Sequence, residues 1–435
     1  MVVTLKHLTL ENYGPFTKLD IDLSDITIFV GRNNTGKSTA LEAITLLLSS
    51  FNETDFSEII SRLSEKADYL INLRSDRDIA FVKGNIVGQG VSNNVELRIM
   101  RGVDKFGEKR DEVLQSIKES FTELSPRSRD ILKTAYNRIV EKEVKEGGKI
   151  IHSNFDDFIN DASAMLNDLL DDLLAIAIFI GTYINGELYR VALLSNVEDV
   201  VKNSIEPVIK RKQSIIIKKS LKLLERLKLN EIELITLLSS QLDKVRSLDY
   251  GVISEVNISP IHARSLSLSS FSIDDLPPYQ QSELVEMLRN EVNYFYDYRD
   301  GQVILNFDNG KVSVPYDLMG DGFKALVEML SIIVSGVNVA IIDEPENHLH
   351  PGFMEVITRY IVEPKFLNKV QFIMATQSLE FLDYLLNAAR ERNVLDRVRF
   401  VRLYLLPNGD IDYEQLSGDE AYEERNELKW DLRGP

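Results

Sequence analysis

Apolar positions along the chain fall into short runs that alternate with helical stretches, a pattern typical of α/β proteins. The first hundred residues predict strands at 3–12, 16–22, 25–30, 79–87 and 94–101, with a helix at 39–48. After about residue 253 the alternation resumes and predicts strands at 303–307, 311–315, 337–344, 369–375 and 398–406, with helices ending at 335, 362 and 391. Both ends of the chain therefore predict the same kind of architecture.

The middle of the chain is mostly helical and rich in charge, with helical patterns at 111–145, 155–175, 202–228 and 230–246. Ala175–Ser195 instead predicts a β-hairpin, because Asn185-Gly186 is a two-residue turn signal between β-rich flanks. These patterns predict an N-terminal lobe at 1–104, a mainly helical insertion at 105–252 and a C-terminal lobe at 253–435. The two lobes together would form one α/β domain that the insertion interrupts.

Composition narrows the class of protein. The 435 residues carry a net charge of −18 and no cysteine, which excludes disulfides, thiolate metal sites and cysteine nucleophiles. No apolar run approaches the ~20 uncharged residues of a membrane span, and the chain opens on a strand pattern without a signal peptide. We therefore expect a soluble, cytoplasmic protein without a membrane partner.

A glycine-rich segment lies between the strand at 25–30 and the helix at 39–48. It fits the P-loop pattern GxxxxGK[ST], in which the loop backbone and the helix N-terminus bind phosphates. An ordinary strand-to-helix loop is the alternative. Lys37 would contact the β- and γ-phosphates, and the Ser38 hydroxyl would bind Mg²⁺. The predicted nucleotide-binding residues of this segment are Gly31, Arg32, Asn33, Asn34, Thr35, Gly36, Lys37, Ser38 and Thr39.

A second half-site follows roughly three hundred residues later. The apolar run Val337–Glu344 ends in two carboxylates, as a Walker B strand does. Asp343 would hold Mg²⁺, and Glu344 would act as general base toward the attacking water. Two solvated acids at the end of a surface strand are the alternative. With the P-loop, this strand predicts binding of ATP and Mg²⁺.

The ordered motifs GRNNTGKST, MGDGFK, IIDEPENHLHP and ATQSLEF resemble those of ABC-type ATPases of the SMC and RecF group. They are most similar to small prokaryotic ATPases related to the OLD (overcoming lysogenization defect) proteins. The resemblance covers about residues 1–100 and 285–400. It implies a P-loop ABC-type ATPase head, a mixed sheet with flanking helices, interrupted by the helical insertion.

In that family two heads enclose two ATP molecules, and each P-loop is completed by the partner's signature motif. The resemblance therefore implies an ATP-dependent homodimer in which Gly320, Asp321, Gly322 and Lys324 face the γ-phosphate of the other subunit. A plain turn before a helix is the alternative for these glycines. The block 345–351, which contains His348 and His350, would form the D-loop; ordinary polar contacts are the alternative for both histidines.

Two positions depart from the family pattern. Gly320 stands where ABC proteins have the signature serine, so a hydroxyl contact to the γ-phosphate is lost. Gln377 stands where the switch histidine is expected; it can donate a hydrogen bond but cannot titrate near neutral pH. Helix capping is the alternative for Gln377. Because binding should tolerate these changes better than turnover, we expect slow hydrolysis, with Glu344, Lys37 and Gln377 as the catalytic residues.

The resemblance also bears on partners. OLD-like proteins carry a C-terminal Toprim nuclease, and the short stretch after residue 406 leaves no room for one. We therefore expect any nuclease or other effector to be a separate chain, in a defence or repair role by analogy. An ATP-binding scaffold without turnover is the rival function. The missing LSGGQ motif argues against a transporter subunit, and Asn368-Lys369-Val370-Gln371 lacks the aspartate of a GTPase.

One basic segment departs from the acidic average. Residues 202–228 include nine basic side chains against Glu206 and Glu225: Lys202, Lys210, Arg211, Lys212, Lys218, Lys219, Lys222, Arg226 and Lys228. As a functional feature, Lys210–Lys228 could bind DNA through its phosphates. The solvated face of an amphipathic helix is the alternative, because Ile215, Leu223 and Leu227 recur at helical spacing.

Overall fold

A computed structural model describes residues 3–51, 53–75, 77–88, 91–120, 125–146, 154–195, 212–242, 248–249, 263–265 and 273–434. Its strands are β1 Thr4–Tyr13, β2 Phe16–Asp22, β3 Ile26–Val30, β4 Ile79–Gly88, β5 Val91–Arg101, β6 Ile178–Ile184, β7 Glu187–Leu193, β8 Leu248–Asp249, β9 Ala263–Ser265, β10 Phe295–Arg299, β11 Gln302–Phe307, β12 Gly310–Pro315, β13 Val339–Asp343, β14 Gln371–Thr376, β15 Val398–Leu405 and β16 Ile411–Ser417.

The α-helices of the described residues are α1 Lys37–Ser49, α2 Glu53–Ser64, α3 Ala67–Leu70, α4 Arg110–Ser120, α5 Pro126–Glu146, α6 Phe155–Leu174, α7 Lys212–Leu227, α8 Glu231–Leu242, α9 Pro278–Glu291, α10 Asp321–Val334, α11 Pro351–Ile361, α12 Pro364–Leu367, α13 Leu379–Glu391 and α14 Gly418–Tyr422. Single 3₁₀ turns cover 273–275, 316–318 and 395–397, a 3₁₀ segment interrupted at Gly107 covers 103–109, and a π-helical turn covers 423–427. None of the described helices is long and apolar enough to cross a membrane.

The chain divides into two compact units. The first contains Met1–Asn52, Val82–Val95 and Val256–Pro435, and the second contains Glu53–Phe81 and Glu96–Glu255. Residues 53–81 thus belong to the second unit, although the sequence pattern grouped them with the N-terminal lobe. The domain bounds at 104 and 252 stay predictions.

The first unit is built on a six-stranded sheet in the order β16-β15-β3-β14-β13-β9. Strands β15, β3, β14, β13 and β9 run parallel, and β16 pairs antiparallel with β15 at one edge. Every residue of β3 is buried, which is the pattern of a parallel strand covered by helices on both faces. The carboxyl ends of the parallel strands therefore meet at one edge of the sheet, where ligands bind in α/β folds.

A buried glutamine joins distant parts of this unit. Gln371, at the start of β14, is 1% exposed, and its amide pairs with the backbone of Leu5 in β1 through two 2.8 Å hydrogen bonds. Its Nε2 also donates to the carbonyl of Ser24 at 2.9 Å. Because a buried amide must be hydrogen-bonded, this side chain fixes β1 against β14.

The first unit contains two further groups of strands. β1 and β2 form an antiparallel ladder, and β4 is the next strand beside β1. β10, β11 and β12 form a separate antiparallel sheet that directly precedes the MGDGF segment. The β11–β12 hairpin confirms the turn predicted around Asp308-Asn309-Gly310.

The second unit combines helices with the second half of β5 and with β6, β7 and β8, which are neighbours in that order. The predicted hairpin is present as β6 and β7, and its turn residues Asn185 and Gly186 have φ values of 51° and 91°. The core of the second unit brings together apolar side chains of α5, α6, α7 and α8, among them Phe158, Leu169, Leu223 and Leu237. The described part of the insertion is mainly helical, as the pattern predicts.

The structure adds elements that the sequence pattern missed. Strand β16 lies in the stretch after residue 406, which the pattern left as an acidic tail. Its alternation of Ile411, Asp412, Tyr413 and Glu414 is that of an edge strand with one solvated face. Helices α2 and α9 and strand β10 were also missed.

Candidate nucleotide-binding site

The P-loop connects β3 to α1, and its backbone requires glycine at two positions. Gly36 has φ +87° and directly precedes α1, and a Cβ there would lie 2.7 Å from Cζ of Phe16. A Cβ on Gly31 would lie 2.5 Å from the carbonyl oxygen of Leu403. Asn34 is also left-handed, with φ +64°. Left-handed residues at intervals along a loop turn successive backbone N–H groups into one concavity, as an anion-binding site requires.

The exposed surface of the loop is formed by Arg32, Asn33, Asn34 and Ser38, whereas Thr35 is buried and donates to the carbonyl of Arg32 at 2.9 Å. Thr39 is half-buried in the first turn of α1. Backbone donors, a helix N-terminus and an exposed Ser38 hydroxyl fit a triphosphate with its Mg²⁺.

Lys37 lies between the loop and the acidic strand end. Its Nζ donates to the carbonyls of Gly31 and Arg32, both at 2.9 Å. Burial lowers the pKa of Lys37, and the nearby carboxylates of Asp343, Glu344 and Glu346 partly offset that effect. The net pKa is below the ordinary value. The structure therefore brings the P-loop lysine and the acidic residues at and just after the end of β13 into one electrostatic site.

The register of the sheet places the acidic residues at the end of β13 close to the P-loop. Asp343 pairs with Ala375 and Thr376 pairs with Val30, so β13, β14 and β3 end side by side. Asp343 is exposed at this edge. Glu344 follows with φ +53°, and its N–H donates to the carbonyl of Ala375 at 2.8 Å. A left-handed glutamate is strained, and such strain clusters at functional sites.

Two amide side chains hold the Glu344 carboxylate. Asn347 Nδ2 donates to Oε2 at 2.8 Å, and Gln377 Nε2 donates to Oε1 at 3.4 Å. Asn347 was not singled out by the sequence, which treated it only as part of the 345–351 block. Asn347 follows Glu344 by three residues, within the turn after the acidic strand end, and this spacing is the signal that could have found it.

Gln377 is not the helix cap that the alternative interpretation suggested. Ser378 caps α13 instead, because its Oγ accepts from the N–H of Phe381 at 3.2 Å. The Ser378 N–H in turn donates to Thr376 Oγ1 at 2.9 Å, and Thr376 donates to Glu346 Oε1 at 2.7 Å. Burial raises the pKa of Glu346, against its hydrogen bond from Thr376. The side chain of Gln377 is thus left to face Glu344.

The MGDGF segment forms the start of α10. Gly320 precedes the helix, Asp321 is its first residue, and both are exposed. Lys324 Nζ donates to the carbonyl of Asp317 at 2.7 Å, and a Cβ on Gly322 would lie 3.1 Å from the carbonyl of His348. The segment therefore lies beside the 345–351 block of its own chain. Its role toward a second protomer stays a prediction.

The two histidines of that block differ. His350 precedes α11 and accepts from the N–H of Gly352 through Nδ1 at 3.2 Å, which is an ordinary capping contact. His348 is exposed and left-handed, with φ +62°. The D-loop assignment of both residues stays a prediction.

The basic helix α7 is partly neutralised within the second unit. Lys219 forms ion pairs with Asp168 at 2.9 Å and Asp172 at 2.6 Å, and Arg226 pairs with Asp161 at 2.7 Å. Lys222 and Lys228 are exposed. Lys202, Lys210 and Arg211 lie outside the described residues, as do the side chains of Lys212 and Lys218. The described contacts favour packing of α7 against the acidic helix α6, and DNA binding stays a prediction.

Comparison with known proteins gives the class of this fold and site. The chain belongs to the AAA ATPase domain family, whose model matches residues 4–382. It is 44% identical over 64 residues to the DNA replication and repair protein RecF of Leptospira interrogans, which covers 14% of this chain and 18% of RecF. It is 29% identical over 119 residues to an uncharacterized protein of Methanocaldococcus jannaschii, covering 27% of this chain and all of that protein.

Among solved structures, the SMC head domain of Thermotoga maritima has a TM-score of 0.43 at 14% identity, covering 95% of this chain and 99% of that one. An SMC head bound to the C-winged helix domain of ScpA has a TM-score of 0.44 at 12% identity, covering 96% of this chain and 99% of that one. The predicted class, a P-loop ATPase head with a mixed sheet and flanking helices, is confirmed. The narrower resemblance to the OLD-related group stays a prediction.

Proposed function

We propose that this protein binds Mg-ATP at the P-loop and hydrolyses it slowly, with Glu344 as general base. The observation that carries the proposal is the geometry of Glu344, whose carboxylate is held by Asn347 and Gln377 in the same electrostatic site as Lys37. A carboxylate oriented by two amide donors is prepared to accept a proton from water at a fixed position. Membership of an ATPase family supports the same conclusion.

The residues divide the chemistry as follows. Backbone N–H groups of residues 31–36 and the N-terminus of α1 would bind the phosphates. Lys37 would exchange its two carbonyl partners for phosphate oxygens, since its ammonium is already at the loop. Ser38 and Asp343 would hold Mg²⁺, which neutralises charge on the phosphates when bound. Glu344 would accept the proton of the attacking water, and Gln377 would orient that water or the carboxylate.

Turnover is expected to be slow for two reasons, one at Gly320 and one at Gln377. Gly320 offers no hydroxyl to the γ-phosphate, so only backbone donors remain there. Gln377 cannot exchange a proton near neutral pH, and its contact with Glu344 is a long 3.4 Å. Slow turnover suits a switch that changes state with its nucleotide better than a motor.

We further propose that ATP binding drives head-to-head dimerisation, and that the dimer controls a separate effector or DNA engagement. The exposed positions of Gly320 and Asp321 support a contact to a second protomer. A role in DNA repair is supported by the local similarity to RecF, which spans only 18% of that protein. A defence role with a separately encoded nuclease rests on analogy alone.

An ATP-binding scaffold without turnover is the second candidate, favoured by the replacements at Gly320 and Gln377. Titration with a fluorescent ATP analogue and parallel phosphate release distinguish the two functions. Lys37→Ala should weaken binding, whereas Glu344→Gln should bind ATP but lose phosphate release by a factor on the order of 100. The matched control is Glu355→Gln, an exposed glutamate on α11. Wild-type binding without any phosphate release would leave the scaffold function.

A further inference from the structure

Residues 423–434 fold back onto the part of the first unit that carries Gln377. Leu432 is fully buried in the core, and its carbonyl accepts from Nε of Arg402 at 3.1 Å. The N–H of Trp430 donates to the carbonyl of Glu424 at 2.9 Å, which closes the segment on itself. This 423–434 segment is therefore a packed element of the head.

An arginine joins the segment to the helix that follows the switch residue. Arg425 forms a two-pronged ion pair with Asp383 of α13, with Nε–Oδ1 at 2.6 Å and Nη2–Oδ2 at 2.8 Å. Its Nη1 donates to the carbonyl of Trp430 at 3.4 Å. A planar guanidinium paired in this way fixes orientation as well as distance. The segment and α13 are consequently held as one body.

A second arginine reaches the switch residue itself. Arg433 places Nε at 2.9 Å and Nη2 at 2.7 Å from the two carboxylate oxygens of Asp431. That pairing leaves Nη1 directed at the backbone carbonyl of Gln377, to which it donates at 3.5 Å. This hydrogen bond is long and therefore weak, so its contribution is to position the Gln377 peptide more than to stabilise the fold.

We propose that Arg433 is a positioning residue for ATP turnover, acting through the backbone of Gln377 to set its amide against Glu344. This inference rests on the proposed ATPase function. The Gln377 side chain is 3.4 Å from Glu344, at the outer limit of a hydrogen bond, so a small shift of the Gln377 peptide breaks the contact. A displacement of ~1 Å in a catalytic group costs up to about a hundredfold in rate.

The test is a double-mutant cycle of Arg433→Ala and Gln377→Ala, with phosphate release and fluorescent-ATP binding measured on the full chain. Arg433→Ala should lower kcat by about tenfold and leave KM and nucleotide affinity within about twofold. In the Gln377→Ala background, Arg433→Ala should cause no further loss, since both act on one contact. Arg433→Lys should recover only part of kcat, because an ammonium cannot bridge Asp431 and the carbonyl as a planar fork does.

Arg392→Ala is the matched control. Arg392 directly follows α13 and forms a surface ion pair with Glu363 at 2.9 Å. This arginine–carboxylate pair has no contact with Gln377 among the described hydrogen bonds. It should leave kcat unchanged. Trp430 is the one tryptophan of the chain and is 57% exposed. Quenching of its fluorescence therefore reports whether the 423–434 segment stays docked in each variant.

Unchanged kcat in Arg433→Ala, or effects of the two substitutions that simply multiply, would overturn the positioning role while leaving the ATPase function intact. Lys37-dependent ATP binding without phosphate release in the wild type would instead overturn the ATPase function, and the positioning role with it. A kcat loss equal in Arg433→Ala and Arg392→Ala would mean general destabilisation and also overturns the proposal.

Discussion

At the residue scale, the P-loop depends on backbone conformations that only glycine adopts without strain. Gly36 combines a left-handed φ with a close approach, since a Cβ would lie 2.7 Å from the ring of Phe16. Phe16 is fully buried at the start of β2, so it has little room to retreat. The glycine therefore meets a phosphate-binding need and a packing need at once.

We predict that Gly36→Ala destabilises the fold by about 2–4 kcal/mol, the sum of left-handed strain and overpacking. ATP binding should be lost in the same variant. Urea denaturation and fluorescent-ATP titration measure the two effects. Gly301→Ala is the control, because Gly301 has φ +73° but a Cβ there would meet no described atom within 4 Å. It should cost only the strain, and equal losses in both variants would contradict the steric argument.

His7 gives a second prediction at this scale. Burial lowers the pKa of His7, but 2.8 Å hydrogen bonds to Asp22 and Asp20 outweigh burial and raise it. A raised folded-state pKa means stabilisation that is complete below the ordinary value near 6.5 and lost as pH rises through the higher value. The stability difference between wild type and His7→Asn should therefore be largest below the ordinary pKa near 6.5 and shrink as the pH rises above it. A difference independent of pH would refute this.

At the scale of elements, α6 and α7 pack through an apolar core and a row of ion pairs. Lys219 sits between Asp168 and Asp172, and its side chain is only 29% exposed. The acidic helix α6 thus forms ion pairs with basic side chains of α7 for which the sequence alone suggested binding to DNA phosphates. This pairing also means that reversing Lys219 would perturb packing as well as any nucleic-acid contact.

We predict that Lys219→Ala lowers the stability of the second unit by about 0.5–1 kcal/mol at low salt, the range of partly exposed ion pairs. The effect should diminish at 1 M NaCl because salt screens exposed charges. Lys222→Ala, on the exposed face of the same helix, is the control and should change little. Urea denaturation at both salt concentrations measures the difference. A loss in Lys222→Ala as large as in Lys219→Ala would argue against the pairing.

At the scale of the whole molecule, we propose that assembly depends on the bound nucleotide. The exposed start of α10 and the P-loop are the two surfaces that a head-to-head dimer would join. We predict that Mg-ATP doubles the mass of Glu344→Gln in light scattering, because a variant that cannot complete hydrolysis retains its nucleotide. Lys37→Ala should keep the mass of its nucleotide-free form. Identical mass with and without ATP in Glu344→Gln would refute ATP-dependent dimerisation.

The sequence by itself determined the features that depend on local backbone chemistry. The P-loop needs glycine at fixed spacing, and the Asn185-Gly186 turn needs two left-handed residues, so both are legible in a few consecutive letters. The strands β3 and β13 were found for a different reason, because burial on both faces leaves a nearly continuous apolar run. Strand β16 was missed, since its acidic alternation resembles a solvated tail.

Only the tertiary structure decided which distant side chains meet. The pairing of Lys219 with Asp168 spans 51 residues, and that of Arg433 with Gln377 spans 56. The two amides on Glu344 come from a tight turn after β13 and from the end of β14. Such contacts depend on how helices pack and on the order and register of the strands. Hydrophobic periodicity encodes neither, because it records burial and not the identity of the neighbour.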